Sequence, residues 1–280
     1  MSTAPVMHDL QPDDLVGLAQ AGWDVGETLC TECSGYHRVW GVLRASGIVG
    51  GTRVDEPVLA PLFDRLVRPG ARILLAGSAD PGLLDLVCRS ASARPIQVTV
   101  ADLCPTPLRV IEALRPYPGV EVRTAQMDLT RMEDGPQWDL IVSHSMLPFV
   151  PEAARTAVVR GLKAALAPGG RLVVVARTSH AMAPGQVAAH DEAWLSRARQ
   201  RIRDSGTPLP GPAQAFDAAL AAFARLRRGQ IWDLATPQAI AGLIADGGCE
   251  VFETLDSEES TRLDLDGRSH ARRSYVFVAG

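Results

Sequence analysis

Apolar positions follow two different rhythms along the chain. Over residues 10–68 they recur at helical spacing. Leu10, Leu15, Leu18 and Ala19 form one set; Tyr36, Val39, Trp40 and Leu43, with Arg44, form a second; Pro57, Leu59, Leu62, Phe63 and Leu66 form a third. Gly47, Gly50 and Gly51 separate the second from the third, and Pro69-Gly70 ends the series. From Arg72 the rhythm changes to short continuous apolar runs, as in strands buried on both faces of a parallel sheet. Residues 73–76 form such a run, and residues 96–101, 120–124, 138–143 and 171–176 predict four further strands. Helical sets stand between them: Leu83, Leu84, Leu86 and Val87; Leu108, Ile111 and Leu114; Val158, Leu162 and Leu166. Alternating strands and helices with right-handed crossovers predict a doubly wound sheet.

The rhythm breaks at 178–230, which is rich in Ala and Arg and interrupted by Gly206, Pro208, Pro210, Gly211 and Pro212. This segment reads as two helices joined by a loop, inserted as a cap after the fifth strand. Residues 237–245 resume a helix, closed by Gly247-Gly248. Residues 249–255 and 274–279 then read as strands, with no helical pattern between them, so they are expected to pair antiparallel. The expected architecture is an α/β doubly wound sheet of seven strands ending in an antiparallel pair. A helical prelude or lid over 1–68 precedes it, and the sheet domain spans 69–280 with its insertion at 178–230.

The chain has 280 residues, 46% hydrophobic and 21% charged, which suits a sizeable core and not disorder. A net charge of -4 gives no broad basic surface, so a nucleic-acid partner is disfavoured. The basic stretches at 197–203 and 225–228 read as solvated helix faces. No apolar run reaches the length of a membrane span, about 18 residues. The opening MSTAPVMHDL has neither a basic start nor an apolar stretch, so no secretion signal is expected and the cytoplasm is the expected location. Nothing in the sequence indicates an oligomer. Five scattered cysteines suit a reducing compartment. Cys30 and Cys33 form a CxxC, and His37 is a conceivable third ligand, but no second CxxC follows. The pair therefore reads as helix packing or a redox-inert pair, and no metal is expected.

Four candidate features fall at the carboxyl ends of predicted strands, where open α/β sheets bind ligands. The first is the small-residue turn Gly77-Ser78-Ala79-Asp80-Pro81-Gly82, which runs into a helix whose first N–H groups are free. The second is Asp102 with Leu103, at the tip of the next strand; a carboxylate there can accept from two ribose hydroxyls. The third is Met127-Asp128-Leu129, and the fourth Ser143-His144-Ser145.

This ordered set resembles the class I S-adenosylmethionine-dependent methyltransferases. Gly77 to Gly82 is similar to their glycine-rich first motif, Asp102 to the acid after the second strand, and Asp128 to the adenine-side motif. Trp138 to Ser145 and Leu166-Ala167-Pro168-Gly169-Gly170-Arg171-Leu172 resemble the later motifs. Within the family, Asp102 to Leu108 and Ser143-His144-Ser145 resemble a bacterial small-molecule subgroup. The resemblance implies a Rossmann-like sheet, S-adenosyl-L-methionine as cofactor and a small-molecule acceptor methylated on oxygen or nitrogen. It implies cofactor contacts at Gly77, Ser78, Ala79, Asp80, Asp102, Leu103, Asp128, Leu129 and Ser143. Ala76 stands where the family usually has an acid, and Asp80 is a candidate to replace it at the methionine amino group.

A general base is expected near the transferred methyl, and histidine is the residue type that titrates near neutrality. His144 and His37 are candidates. Tyr36 shares a helix stripe with His37, Trp40 and Arg44, and an aromatic face beside a sulfonium gains a cation–π attraction of about 1 kcal/mol. Trp40 reads as a docking residue, Trp232 as a packing one; His180, His190 and Trp194 are weaker site candidates. Asp128 has a competing reading as a turn cap with Thr130. Three other functions remain open. One is attack of the cofactor's own amino group to close a ring, as in azetidine-2-carboxylate synthases, with release of methylthioadenosine. Another is a non-catalytic binding module, and the last a nicotinamide-dependent dehydrogenase. The single glycine turn and the final antiparallel pair argue against the dehydrogenase.

Overall fold

The apolar run after Pro69-Gly70 becomes β1 (Arg72–Ala76), the centre of the sheet in a computed structural model of the protein. The structure describes residues 11, 13–30, 33, 35–132, 137–179, 192–228, 236–257, 260–263 and 269–280. Leu10, His180, His190 and Trp232 lie outside them. Parallel neighbours of β1 are β2 (Ile96–Asp102) and β4 (Trp138–His144); β3 (Val120–Gln126) and β5 (Leu166–Ser179) lie beyond them. β6 (Val251–Asp256) and β8 (Ser269–Ala279) finish the sheet, in the order β3-β2-β1-β4-β5-β8-β6. β8 runs antiparallel to both β5 and β6. The expected seven strands and terminal antiparallel pair are all present. An eighth, β7 (Ser260–Leu263), pairs with the start of β8, in the stretch between the last two predicted strands.

Alternation along β1 shows why both faces need helices. Ile73 and Leu75 enter one core, with Val98, Val100, Leu140 and Val142; Leu74 and Ala76 enter the opposite core, with Ile141 and Val174. Helices α3 (Glu56–Leu66), α4 (Gly82–Ser90) and α5 (Pro105–Glu112) cover the first face. Helices α6 (Glu152–Ala164) and α9 (Pro237–Asp246) cover the second. The Pro168-Gly169-Gly170 turn appears as a register jump: Trp138 faces Leu166, but Leu140 already faces Arg171. Gly169 takes φ 78° there, a region natural to glycine.

A separate core joins the prelude to the insertion. Helices α1 (Leu15–Leu29) and α2 (Tyr36–Ala45) bury Trp23, Tyr36, Val39 and Leu43 against α7 (Glu192–Asp204) and α8 (Ala213–Arg228), which contribute Leu195, Ile202, Phe216, Leu220 and Phe223. The prelude thus divides. Its first two helices pack with the insertion, whereas Leu59, Leu62 and Phe63 of α3 belong to the sheet.

Candidate functional site

The strand ends of β1, β2 and β4 form one rim. At the β1 end the chain reverses through Gly77, at φ 76°, and a Cβ there would sit 2.4 Å from Met146 Cγ. Only glycine fits that approach without displacement. The next amide, Ser78 N, donates to Asp102 Oδ2 at 3.0 Å, and Cys104 N donates to Asp102 Oδ1 at 2.8 Å. The Asp102 carboxylate thereby ties the β1 turn to the β2 turn. Burial pushes its carboxyl up, against the lowering effects of His37 and the two N–H donors. Each oxygen holds one described partner, and a carboxylate has about four acceptor sites, so Asp102 keeps capacity for two more donors.

Asp80 is placed differently from its expected role. Its Oδ1 accepts from Gly82 N at 2.7 Å, capping the start of α4; its Oδ2 takes Trp40 Nε1 at 2.7 Å and Arg44 Nη1 at 2.5 Å. Burial would raise this carboxyl, but the Arg44 charge and the Trp40 hydrogen bond outweigh it and hold it down. Asp80 therefore fastens α2 to the rim, and Trp40 docks the helix as expected. Ser78 Oγ bonds Asp80 O at 3.1 Å, and Ala79 packs on the core of α1, α2, α7 and α8.

Along the rim, Leu103 is 52% exposed beside Asp102, and its carbonyl accepts from Gln126 Nε2. After β3, Asp128 Oδ1 accepts from Thr130 N at 2.9 Å and from Thr130 Oγ1 at 2.7 Å. These bonds lower its carboxyl and make Asp128 the cap of a short 3-10 turn, with Leu129 buried behind it.

His144 ends β4. Its Nε2 lies 2.8 Å from Asp55 Oδ2, a fully buried carboxylate between a 3-10 turn and α3. Arg177 Nη2 on β5 reaches the same oxygen at 3.3 Å, and Ser257 Oγ donates to Asp55 Oδ1 at 3.3 Å. Burial alone would raise Asp55; the hydrogen bond and charge of His144, then Arg177, hold it well below the usual carboxylate range. Asp55 and Arg177 were not singled out from the sequence. On either side of His144, Ser143 Oγ and Ser145 Oγ are buried without a hydrogen-bond partner among the described residues. Ser145 also adopts φ 55°, rare for a non-glycine residue.

Tyr36 is 6% exposed and stacks on Trp40 at 5.1 Å, with Phe149 and Phe223 ring centroids at 5.7 and 5.3 Å. It links the cap helices to the loop after β4. His37 takes another direction. Its Nδ1 lies 3.4 Å from Cys33 Sγ, and Cys104 Sγ is 3.8 Å from both Cys30 Sγ and Cys33 Sγ. The structure thus brings a fourth ligand-type side chain to the CxxC and His37, from a position 71 residues further on.

S-adenosylmethionine chemistry needs acceptors for ribose hydroxyls, a close backbone approach and polar partners near the methionine end. Asp102's remaining lone pairs, the Gly77 turn and the orphaned hydroxyls of Ser143 and Ser145 match those needs. A small open cleft lined by His37, Trp40, Ala79, Asp80 and Thr106 lies beside α2.

Residues 81–174 match the family model of a methyltransferase domain, a span that holds Asp102, Asp128 and His144 but begins after Gly77. No curated protein matches the chain. Among solved structures, a SAM-dependent methyltransferase from Leishmania major aligns with a TM-score of 0.54 at 14% identity, covering 99% of this chain and 87% of that one. The N-methyltransferase NodS from Bradyrhizobium japonicum, solved with S-adenosyl-L-homocysteine, aligns at 0.48 and 14% identity over 88% of this chain and 97% of its own. A TehB-like SAM-dependent methyltransferase from Corynebacterium glutamicum aligns at 0.44 and 18% identity, over 86% and 95%. Residues 81–174 are thus similar to a methyltransferase domain, and the sheet around them has the class I methyltransferase fold.

Proposed function

We propose that this chain methylates an oxygen or nitrogen of a small molecule, with His144 as the general base. The observation that carries this reading is the buried Asp55–His144 pair at the end of β4, flanked by two unpaired hydroxyls. When bound, S-adenosylmethionine supplies an electrophilic methyl carbon on a sulfonium.

The chain's own residues supply the rest. The Gly77–Asp80 turn admits a ligand close to the backbone. Asp102 accepts from the ribose hydroxyls, Leu103 offers an apolar surface at the β2 end, and Asp128 with Leu129 borders the adenine side. Ser143 donates its unpaired hydroxyl. Asp55 accepts from His144 Nε2–H, which fixes the tautomer and leaves the Nδ1 lone pair, without a partner among the described residues, to take a proton from the acceptor. As that proton arrives, the buried Asp55 carboxylate stabilises the imidazolium. His37 faces the cysteines and Tyr36 lies within an aromatic stack, so the base role goes to His144. The cap of α1, α2, α7 and α8 excludes water; holding nucleophile and methyl in line supplies up to about 7–11 kcal/mol in favourable cases.

The test uses methyl-labelled S-adenosylmethionine with pools of small phenols, alcohols and amines. Label is expected on one class of acceptor, and His144→Ala should lower turnover by roughly 10²–10⁴-fold while binding S-adenosylhomocysteine nearly as well. Methylthioadenosine formed without any acceptor would replace this reading with ring closure. Equal losses of turnover and affinity in His144→Ala would remove the base assignment.

A further inference from the structure

We propose that Cys30, Cys33, His37 and Cys104 bind one zinc ion in a closed tetrahedral site that pins the prelude to the loop carrying Asp102. The ligand atoms of these four residues all lie within 4.8 Å of one another. A zinc tetrahedron with Zn–S of about 2.3 Å and Zn–N of about 2.0–2.1 Å sets S···S at about 3.8 Å and S···N at about 3.6 Å. The Cys30–Cys104 and Cys33–Cys104 sulfurs are each 3.8 Å apart, and Cys33 Sγ lies 3.4 Å from His37 Nδ1. Three of the six spacings are therefore already close to those of a bound ligand set, and the other three lie within 4.8 Å.

Competing readings fit less well. A disulfide needs an S–S bond of about 2.05 Å, and pairing any two of three thiols strands the third. All five cysteines are free. A cluster of several irons would spread its ligands more widely than this group allows. Three thiolates and an imidazole are soft to borderline ligands, which suits zinc over magnesium or calcium.

Position explains what the ion would do. Cys30 caps the end of α1, His37 lies in the first turn of α2, and Cys104 precedes α5. One ion thus ties both cap helices to the β2–α5 loop, where Cys104 N holds Asp102 Oδ1. Four protein ligands leave no open position, so the site is structural. Thr106 Oγ1, 3.2 Å from Cys30 Sγ, is placed to donate to that thiolate. Binding converts three thiols to thiolates and releases their protons to solvent, with no change in oxidation state.

The full chain, purified without chelator and under reducing conditions, should contain about one zinc per chain by elemental mass spectrometry. Cys33→Ser and Cys104→Ser should lose most of it; Cys249→Ser, away from the cluster, should keep it. Should the serine variants fail to fold, metal-depleted wild type titrated with Co²⁺ should show thiolate-to-cobalt charge transfer and the intense visible bands of a tetrahedral ion. Hydrogen exchange in residues 15–45 should rise on metal removal. Wild-type protein that carries no zinc and takes up neither Zn²⁺ nor Co²⁺ after reduction would overturn the proposal. So would stoichiometric metal that survives Cys104→Ser.

Discussion

Replacing Asp55 with alanine tests whether one buried carboxylate organises the end of β4. The side chain is fully buried and meets three partners: His144 at 2.8 Å, Arg177 at 3.3 Å and Ser257 at 3.3 Å. Removing one member of a buried charged pair costs about 3–5 kcal/mol, because the partners stay behind uncompensated. Arg177 is 22% exposed and keeps a bond to Gly51 O at 2.9 Å, which puts Asp55→Ala near the lower end, about 3 kcal/mol. For a chain of this size that lowers the melting temperature by about 6–10 °C. The loss should depend on pH. The folded Asp55 carboxyl is held below its unfolded value of about 3.9, so the unfolded chain binds more protons between the two values. Its stabilisation is complete above about pH 5 and disappears as pH falls toward the depressed folded value. Melting curves of wild type and Asp55→Ala, followed by circular dichroism from pH 7 to pH 3, should draw closer toward the acid end without meeting. A shift under about 2 °C at pH 7, or a gap that widens in acid, would refute the reasoning.

Two further substitutions probe the rim and the cap. Gly77→Ala should destabilise more than Gly70→Ala. Both glycines have positive φ, 76° and 80°, but only at Gly77 does an added Cβ meet a neighbour, Met146 Cγ at 2.4 Å; we expect about 1–3 kcal/mol for Gly77→Ala from denaturant melts, and equal losses would contradict the close approach. Phe223→Ala removes a side chain 2% exposed that packs on Tyr36 and Trp194. It should cost about 3–5 kcal/mol locally, with hydrogen exchange rising in α2 and α8 while β1 and β4 stay protected. An equal rise in β1 and β4 would mean that the cap core does not open separately.

Elements with a strong local rhythm were legible in the sequence. β1, β4 and β5 announced themselves as apolar runs because both faces of each are covered, whereas edge strand β3 alternates Val and Glu or Arg with its polar positions exposed, and α7 and α8 emerged from a periodic Ala- and Arg-rich segment broken at Pro208 to Pro212. β7 did not, because a four-residue strand among polar residues carries no periodicity. Site residues followed the same division. Asp102 and His144 sit at strand tips, where position alone marks a candidate. Asp55 lies in an ordinary-looking Val-Asp-Glu-Pro stretch, and only the docking of α3 beside β4 and β5 gives it His144 and Arg177. Cys104 was visible as a cysteine but not as a companion of Cys30 and Cys33, since the contact depends on how α1 and α2 fold back over the β2 end. Asp80 showed the limit of motif position: the turn was located correctly, but its carboxylate is taken by Trp40 and Arg44 of a helix that the motif does not include.

The proposed function places the cofactor's ribose on Asp102, and isothermal titration of S-adenosylhomocysteine into wild type and Asp102→Ala tests that contact most directly. Hydrogen bonds to a charged group contribute about 1.5–3 kcal/mol each, so the variant should bind at least about tenfold more weakly. The exposed cap Asp128 serves as the comparison, and Asp128→Ala should lose less. One site on wild type and a clear loss in folded Asp102→Ala is the predicted result; no binding by wild type, or equal affinity in the two proteins, would contradict it.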